Sequence, residues 1–153
     1  MEISGLIDDS SFMEDLIASD RKTVFNKMVD HLVASNQIPA DLRDKVILCL
    51  EDREAKMSTA IGEGIAIPHA SVQGIPEVIT LIAILEGKNS GIDCHAPDER
   101  PVRIFFMILV PFDQYSVHLR TLATVTRFLN QPGIKERLQK ASNAFEMRNI
   151  IKK

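Results

Sequence analysis

His69 is the side chain in this sequence best suited to nucleophilic or general-base chemistry. It is expected to end a short strand, directly after Pro68 and the apolar run Ile65-Ala66-Ile67, and Gly62-Glu63-Gly64 supplies a turn just before that run. Proline fixes its own φ and pushes the preceding residue toward extended backbone, so an imidazole placed here is presented rigidly. The two glycines would let the backbone come close to a reacting group. A neutral imidazole is a competent nucleophile or base near pH 7. The same placement also suits a histidine kept for structural reasons.

The remaining candidates carry less. His31 lies near the end of a helical stretch and reads as a solvated or capping residue. Cys94-His95 sits in a polar loop from Asn89 to Arg100, without the second Cys/His pair that a zinc site needs. Cys49 falls within an apolar helical stretch and reads as packing. The sequence has no Gly-x-Ser-x-Gly elbow, no phosphate-cradling Gly-x-x-x-x-Gly-Lys loop and no His-Glu-x-x-His helix.

The elements around these residues follow from periodicity. Phe12 to Ala18 suits a short strand, and Ser19 or Asp20 can cap the helix that follows. Val24, Phe25, Met28, Val29, Leu32 and Val33 recur at spacings of three and four, which predicts an amphipathic helix. Asp41 opens a second helix, with Leu42, Val46 and Leu48-Cys49-Leu50 as its apolar positions. The runs Val78–Leu85 and Val102–Val110 are nearly continuous and rich in β-branched residues, as in strands buried on both faces. Tyr115 or Ser116 starts another helix, Pro132 suits the first turn of the next, and Ser142-Asn143 begins a last one to about Ile151. The expected fold is α/β, a mixed, mostly parallel central sheet flanked by helices on both faces.

Composition narrows the class. The 153 residues, 45% apolar and 25% charged, fit one compact domain spanning 1–153. No stretch approaches the roughly 20 apolar residues of a membrane span, and no basic segment leads an apolar one at the start, so neither membrane insertion nor secretion is expected. Two cysteines make no disulfide framework, which points to a reducing cytoplasm. The formal charge of −3 is uneven, with nine basic and eighteen acidic side chains up to Arg100 and nine basic and three acidic after it. Such a chain, without a basic-aromatic cluster, is not expected to bind nucleic acid. The asymmetry fits solvated helix faces or a polarised surface that orients a docking partner.

A longer string around His69 is more specific. Arg53-Glu54, followed by Ser58-Thr59-Ala60-Ile61-Gly62-Glu63-Gly64-Ile65-Ala66-Ile67-Pro68-His69-Ala70, resembles the active-site signature of mannitol/fructose-type enzyme IIA domains. These belong to the bacterial phosphoenolpyruvate-dependent phosphotransferase system and include nitrogen-regulatory IIA-like proteins. Gly91-Ile92-Asp93, Pro101-Val102, the run through Pro111, His118-Leu119 and Leu122-Ala123 resemble the family's later segments in the same order. The resemblance spans roughly residues 12 to 150. It implies a phosphohistidine relay, with phosphate taken from the phosphocarrier protein HPr and passed to an enzyme IIB cysteine, in the service of sugar transport. The alternative within the family is a nitrogen-type regulator whose phosphorylation state controls binding to target proteins.

Carried over by position, the resemblance makes His69 the phosphoacceptor, His118 the imidazole that steadies the phosphoryl oxygens and Arg53 the partner of phosphate charge. Ser58 or Thr59 would donate a hydroxyl hydrogen bond. Ser71 stands where relatives often carry a basic residue, and Cys94 where many carry a bulky aromatic. Phosphoryl transfer proceeds through a loose transition state with charge spread over three oxygens, so positioned donors and an arginine fork suffice. If a helix starts near Tyr115, its free N–H groups would favour an anion too. Neither a metal nor any other cofactor is expected.

Overall fold

The computed structural model describes residues 2–87 and 90–152, so Asn89, the first residue of the expected polar loop, lies outside the described residues. Six strands and five helices are present among them: β1 Phe12–Leu16, α1 Arg21–Ala34, α2 Arg43–Lys56, β2 Ala60–Gly62, β3 Ile65–Ala66, β4 His69–Val72, β5 Ile79–Leu85, β6 Ile104–Pro111, α3 Tyr115–Leu129, α4 Ile134–Lys140 and α5 Ala144–Ile151. The sheet order is β1-β5-β6-β3-β2, with β4 also paired to β6. β1 is parallel to β5, and β3 and β4 are parallel to β6, whereas β5–β6 and β2–β3 are antiparallel. The sheet is therefore mixed with parallel pairings in the majority, as the sequence predicts.

β5 and β6 are buried along their whole length, and their alternate residues feed two separate cores. Leu81, Ala83, Leu85, Phe105, Met107 and Leu109 pack with Val24, Phe25, Met28, Val46 and Leu50 of α1 and α2. Ile82, Ile84, Ile104, Phe106, Ile108 and Val110 pack with Val125, Phe128, Leu138 and Met147 of α3, α4 and α5. A strand's period of two makes this possible, and it explains why both runs read as continuously apolar. Helices α1 and α2 thus cover one face, and the net-basic C-terminal third supplies the helices of the other.

The helix starts show local chemistry. Asp20 accepts from the Thr23 N–H at 2.7 Å and caps α1, and Asn143 accepts from the Glu146 N–H at 2.9 Å and caps α5. A 3-10 turn at Ala40–Leu42 precedes α2, so the helix begins at Arg43 rather than Asp41. On α2 the buried stripe is Val46, Leu50 and Glu54, while Leu48 is 60% exposed because it lies across the helix from that stripe. Pro132 sits in the turn before α4, and Gly133, at φ 80°, is the residue that flanks the helix start. Asp8 accepts from the Ser10 N–H and opens a further 3-10 turn that delivers the chain into β1.

β3 and β4 are two halves of one strand. Ile65 and Ala66 pair with Ile104 and Phe105, and His69 and Ala70 pair with Ile108 and Leu109, without a slip in register across Ile67-Pro68. Pro68 has no N–H to give, but its carbonyl still accepts from the Ile108 N–H at 2.9 Å. His69 therefore begins β4; the expectation that it ends a strand is corrected. The reason is the neighbour, since Ala-Ser-Val has a weak strand pattern of its own and is held extended by β6.

Candidate active site

Alternation along β4 decides which way the histidine faces. Ala70 and Val72 belong to the core under α1 and α2, so His69 and Ser71 project to the face that carries α3. There the His69 ring meets His118 of the first turn of α3, with ring centroids 5.5 Å apart and planes at 71°. The His69 Nδ1 lies 2.8 Å from the Ile67 carbonyl oxygen. A carbonyl only accepts, so Nδ1 carries the proton and Nε2 keeps its lone pair. The Ile67 peptide is itself fixed, because its N–H donates to the Thr59 carbonyl at 3.0 Å.

His118 Nδ1 is 3.1 Å from the Ser71 hydroxyl, and its Nε2 is buried with no hydrogen-bond partner among the described residues. When Ser71 donates to Nδ1, Nε2 bears the proton and becomes an available donor beside His69. Ser71 is thus a site residue to which the sequence reading gave no role. The signal was its place two residues after His69, on the same side of a strand.

Burial is the largest influence on both imidazoles and pushes them below the ordinary value of 6.5. On His69 the Ile67 hydrogen bond works against this, the charges of Arg53 and His118 add to it, and Glu54 pulls weakly upward. On His118 the Arg53 charge reinforces burial. Arg53, in the last turn of α2, donates one N–H to the Met57 carbonyl at 2.8 Å, leaving the rest of its fork for other acceptors. Its positive charge therefore acts on both histidines from one position. No side chain caps α3, so the first amides of the helix that carries His118 lack intrahelical partners.

The two hydroxyl candidates are placed differently from expectation. Ser58 donates to the Cys94 carbonyl and accepts from the Ala60 N–H at 3.1 Å. Thr59 is buried and donates its hydroxyl to Glu54 at 2.7 Å. Both hydrogens are committed inside the protein, and the phosphate role expected for one of them does not fit this arrangement. The glycine expectation is also corrected. Gly62, at φ 93°, faces the Asp98 carboxylate, and Gly64, at φ 78°, has the Gln139 amide where a Cβ would stand. These glycines serve the β2–β3 turn and its packing against neighbouring segments, not the approach of a reacting group.

Burial pushes the Cys94 thiol up to about 11, which leaves it unreactive, and the His95 ring is exposed on its loop. Among the described residues no group of three or more potential metal ligands comes together. No described helix is long and apolar enough to cross a membrane. Met57, Phe112, Tyr115 and Leu119 are large apolar side chains left exposed, two of them on α3 next to His118.

Residues 4–153 match the family described as phosphoenolpyruvate-dependent sugar phosphotransferase system, EIIA 2. The chain belongs to this family. It is 32% identical over 111 residues to the PTS system fructose-specific EIIA component of Haloferax volcanii, covering 72% of this chain and 70% of that one. Among solved structures, the nitrogen regulatory protein IIA-Ntr from Neisseria meningitidis superposes with a TM-score of 0.81 at 28% identity, over 97% of this chain and 98% of that one. The complex of the mannitol enzyme IIA with phosphorylated enzyme IIB from Escherichia coli shares the fold, at TM-score 0.71 and 16% identity, over 95% and 96% of the two chains. In this EIIA 2 chain the strand-borne and helix-borne histidines occupy one face of the sheet.

Proposed function

We propose that this protein is a phosphohistidine relay of the phosphotransferase system, with residues 1–153 acting as one relay domain in the cytoplasm. The Nε2 lone pair of His69 attacks the phosphorus carried by phosphorylated HPr. The P–N bond of the donor breaks, and its electron pair returns to the donor's imidazole. In the onward step an enzyme IIB cysteine thiolate attacks the same phosphorus, and the pair of the His69 N–P bond returns to Nε2. His118 Nε2–H and the Arg53 fork receive the charge that spreads over the three oxygens between these steps.

The observation that carries this reading is the Nδ1 bond of His69 to Ile67, which leaves the other ring nitrogen as the nucleophile. The exposed Tyr115 and Leu119 beside His118 give an incoming protein apolar surface to bury. The test uses labelled phosphoenolpyruvate, enzyme I and HPr. The wild type takes up an acid-labile, base-stable label and His69→Ala takes up none; equal labelling of the two would remove the assignment.

A second reading is a nitrogen-type regulator, whose phosphorylation at the same histidine controls binding to target proteins. It is favoured by the likeness to the Neisseria protein along nearly the whole of both chains. Onward transfer to an enzyme IIB cysteine marks the carrier. A target captured by wild type but released on phosphorylation, with His69→Ala insensitive, marks the regulator.

A further inference from the structure

Glu54 is an acid on the buried stripe of α2, 6% exposed, in line with Val46 and Leu50. No salt bridge among the described residues involves it. Its two oxygens are spent on one residue, accepting from the Thr59 N–H at 2.8 Å and from the Thr59 hydroxyl at 2.7 Å. A carboxylate removed from water needs such donors, and two on a single neighbour fix that neighbour in both position and rotation.

Thr59 in turn holds the strand of the nucleophile. Its carbonyl accepts from the Ile67 N–H at 3.0 Å, and the Ile67 carbonyl accepts from His69 Nδ1 at 2.8 Å. Each contact sets the plane of the next group, and Pro68 removes one rotation between Ile67 and His69. The line runs from the end of α2 to the His69 ring.

We propose that Glu54 is a positioning residue for His69: through Thr59 and the Ile67 peptide it keeps the imidazole oriented with its proton on Nδ1 and its lone pair on Nε2. Arg53 and Glu54, adjacent in sequence, then divide two tasks, one charge acting toward the histidine pair and the other anchoring the strand. The proposal rests on His69 being the phosphoacceptor, but its primary readout does not require phosphate.

In 15N-labelled protein at about pH 8, where imidazole is neutral, the two ring-nitrogen shifts of His69 report which nitrogen bears the proton. The wild type shows the Nδ1–H form alone. Glu54→Ala shows both forms, and kcat for uptake from phosphorylated HPr falls about tenfold while KM stays within about twofold, as for a ring loosened from its productive geometry. Glu54→Gln keeps an acceptor for the Thr59 N–H and recovers kcat to within about threefold. A folded Glu54→Ala protein with unchanged ring shifts overturns the proposal. Should that variant not fold, Thr59→Val against Thr59→Ser decides. The valine places a methyl against Glu54 and brings in the Nε2–H form, while the serine does not; wild-type shifts in Thr59→Val overturn it equally. Labelling of His69→Ala would remove the relay reading and leave the ring-shift result standing on its own.

Discussion

The two histidines are neighbours held by opposite means. His69 is fixed by main chain, through the Ile67 carbonyl, the β4–β6 ladder and the proline before it. His118 stands on the opening turn of a helix, and its ring is held by one side-chain hydroxyl, that of Ser71. A group held by backbone keeps its tautomer when nearby side chains change, provided the backbone itself stays in place. A group held by one hydroxyl does not. The proposed nucleophile of the pair is thus the part fixed by the fold, and its proposed assistant is the part open to adjustment.

Substitutions can break or sharpen that contrast. His118→Ala should still become labelled on His69, with the rate of uptake down about a hundredfold, the usual scale for removing one donor to developing charge. A rate within about threefold of wild type in rapid-quench time courses would show that the helix-borne imidazole does not serve the transfer step. Arg53→Gln should slow uptake about tenfold, because it leaves the phosphoryl charge without its cation. Measured against ionic strength, that loss shrinks if the arginine acts through charge alone and persists if it acts through its fork.

Ser71→Ala should cost about fivefold, the worth of one neutral hydrogen bond, and the His118 ring shifts should show the proton divided between its nitrogens while those of His69 stay unchanged. Movement of both rings would mean that the two histidines are held as one unit rather than by separate means. The smallest effect concerns pH. Both imidazoles are pushed below 6.5, so uptake stays level as pH falls through 6.5 and declines only at lower values. Stability has the same sign. Below 6.5 the unfolded histidines bind protons that the folded ones refuse, so stability drops as pH falls through that window and levels off below the folded values. Denaturant midpoints of His69→Ala against wild type from pH 8 to 5 check this.

Much of the frame could be read from residue pattern. The β5 and β6 runs are too short for buried helices and too apolar for half-exposed strands, which left an interior sheet with helices on both sides. β4 was harder, because its extended form comes from β6 rather than from its own residues. Leu48 shows a different failure, since a cluster of apolar letters hid a four-residue stripe that admits Val46 and Leu50 but turns Leu48 to solvent. In the site, Pro68-His69 announced itself locally. The use of Ser58 and Thr59 did not, because it depends on where the Cys94 loop and the end of α2 arrive in space. Ser71 was similarly silent until α3 crossed above it.

The unbroken register across Pro68 makes the spacing from Ala66 to His69 a matter of parity. Deleting or inserting one residue there would exchange the sheet's two layers for everything downstream to Val72, sending the imidazole among the leucines and methionines beneath α1 and α2. The alanine and valine now buried there would come to lie under His118. Such a length change would silence the protein more completely than most replacements of single side chains, and only a paired change of two residues could restore the original sidedness.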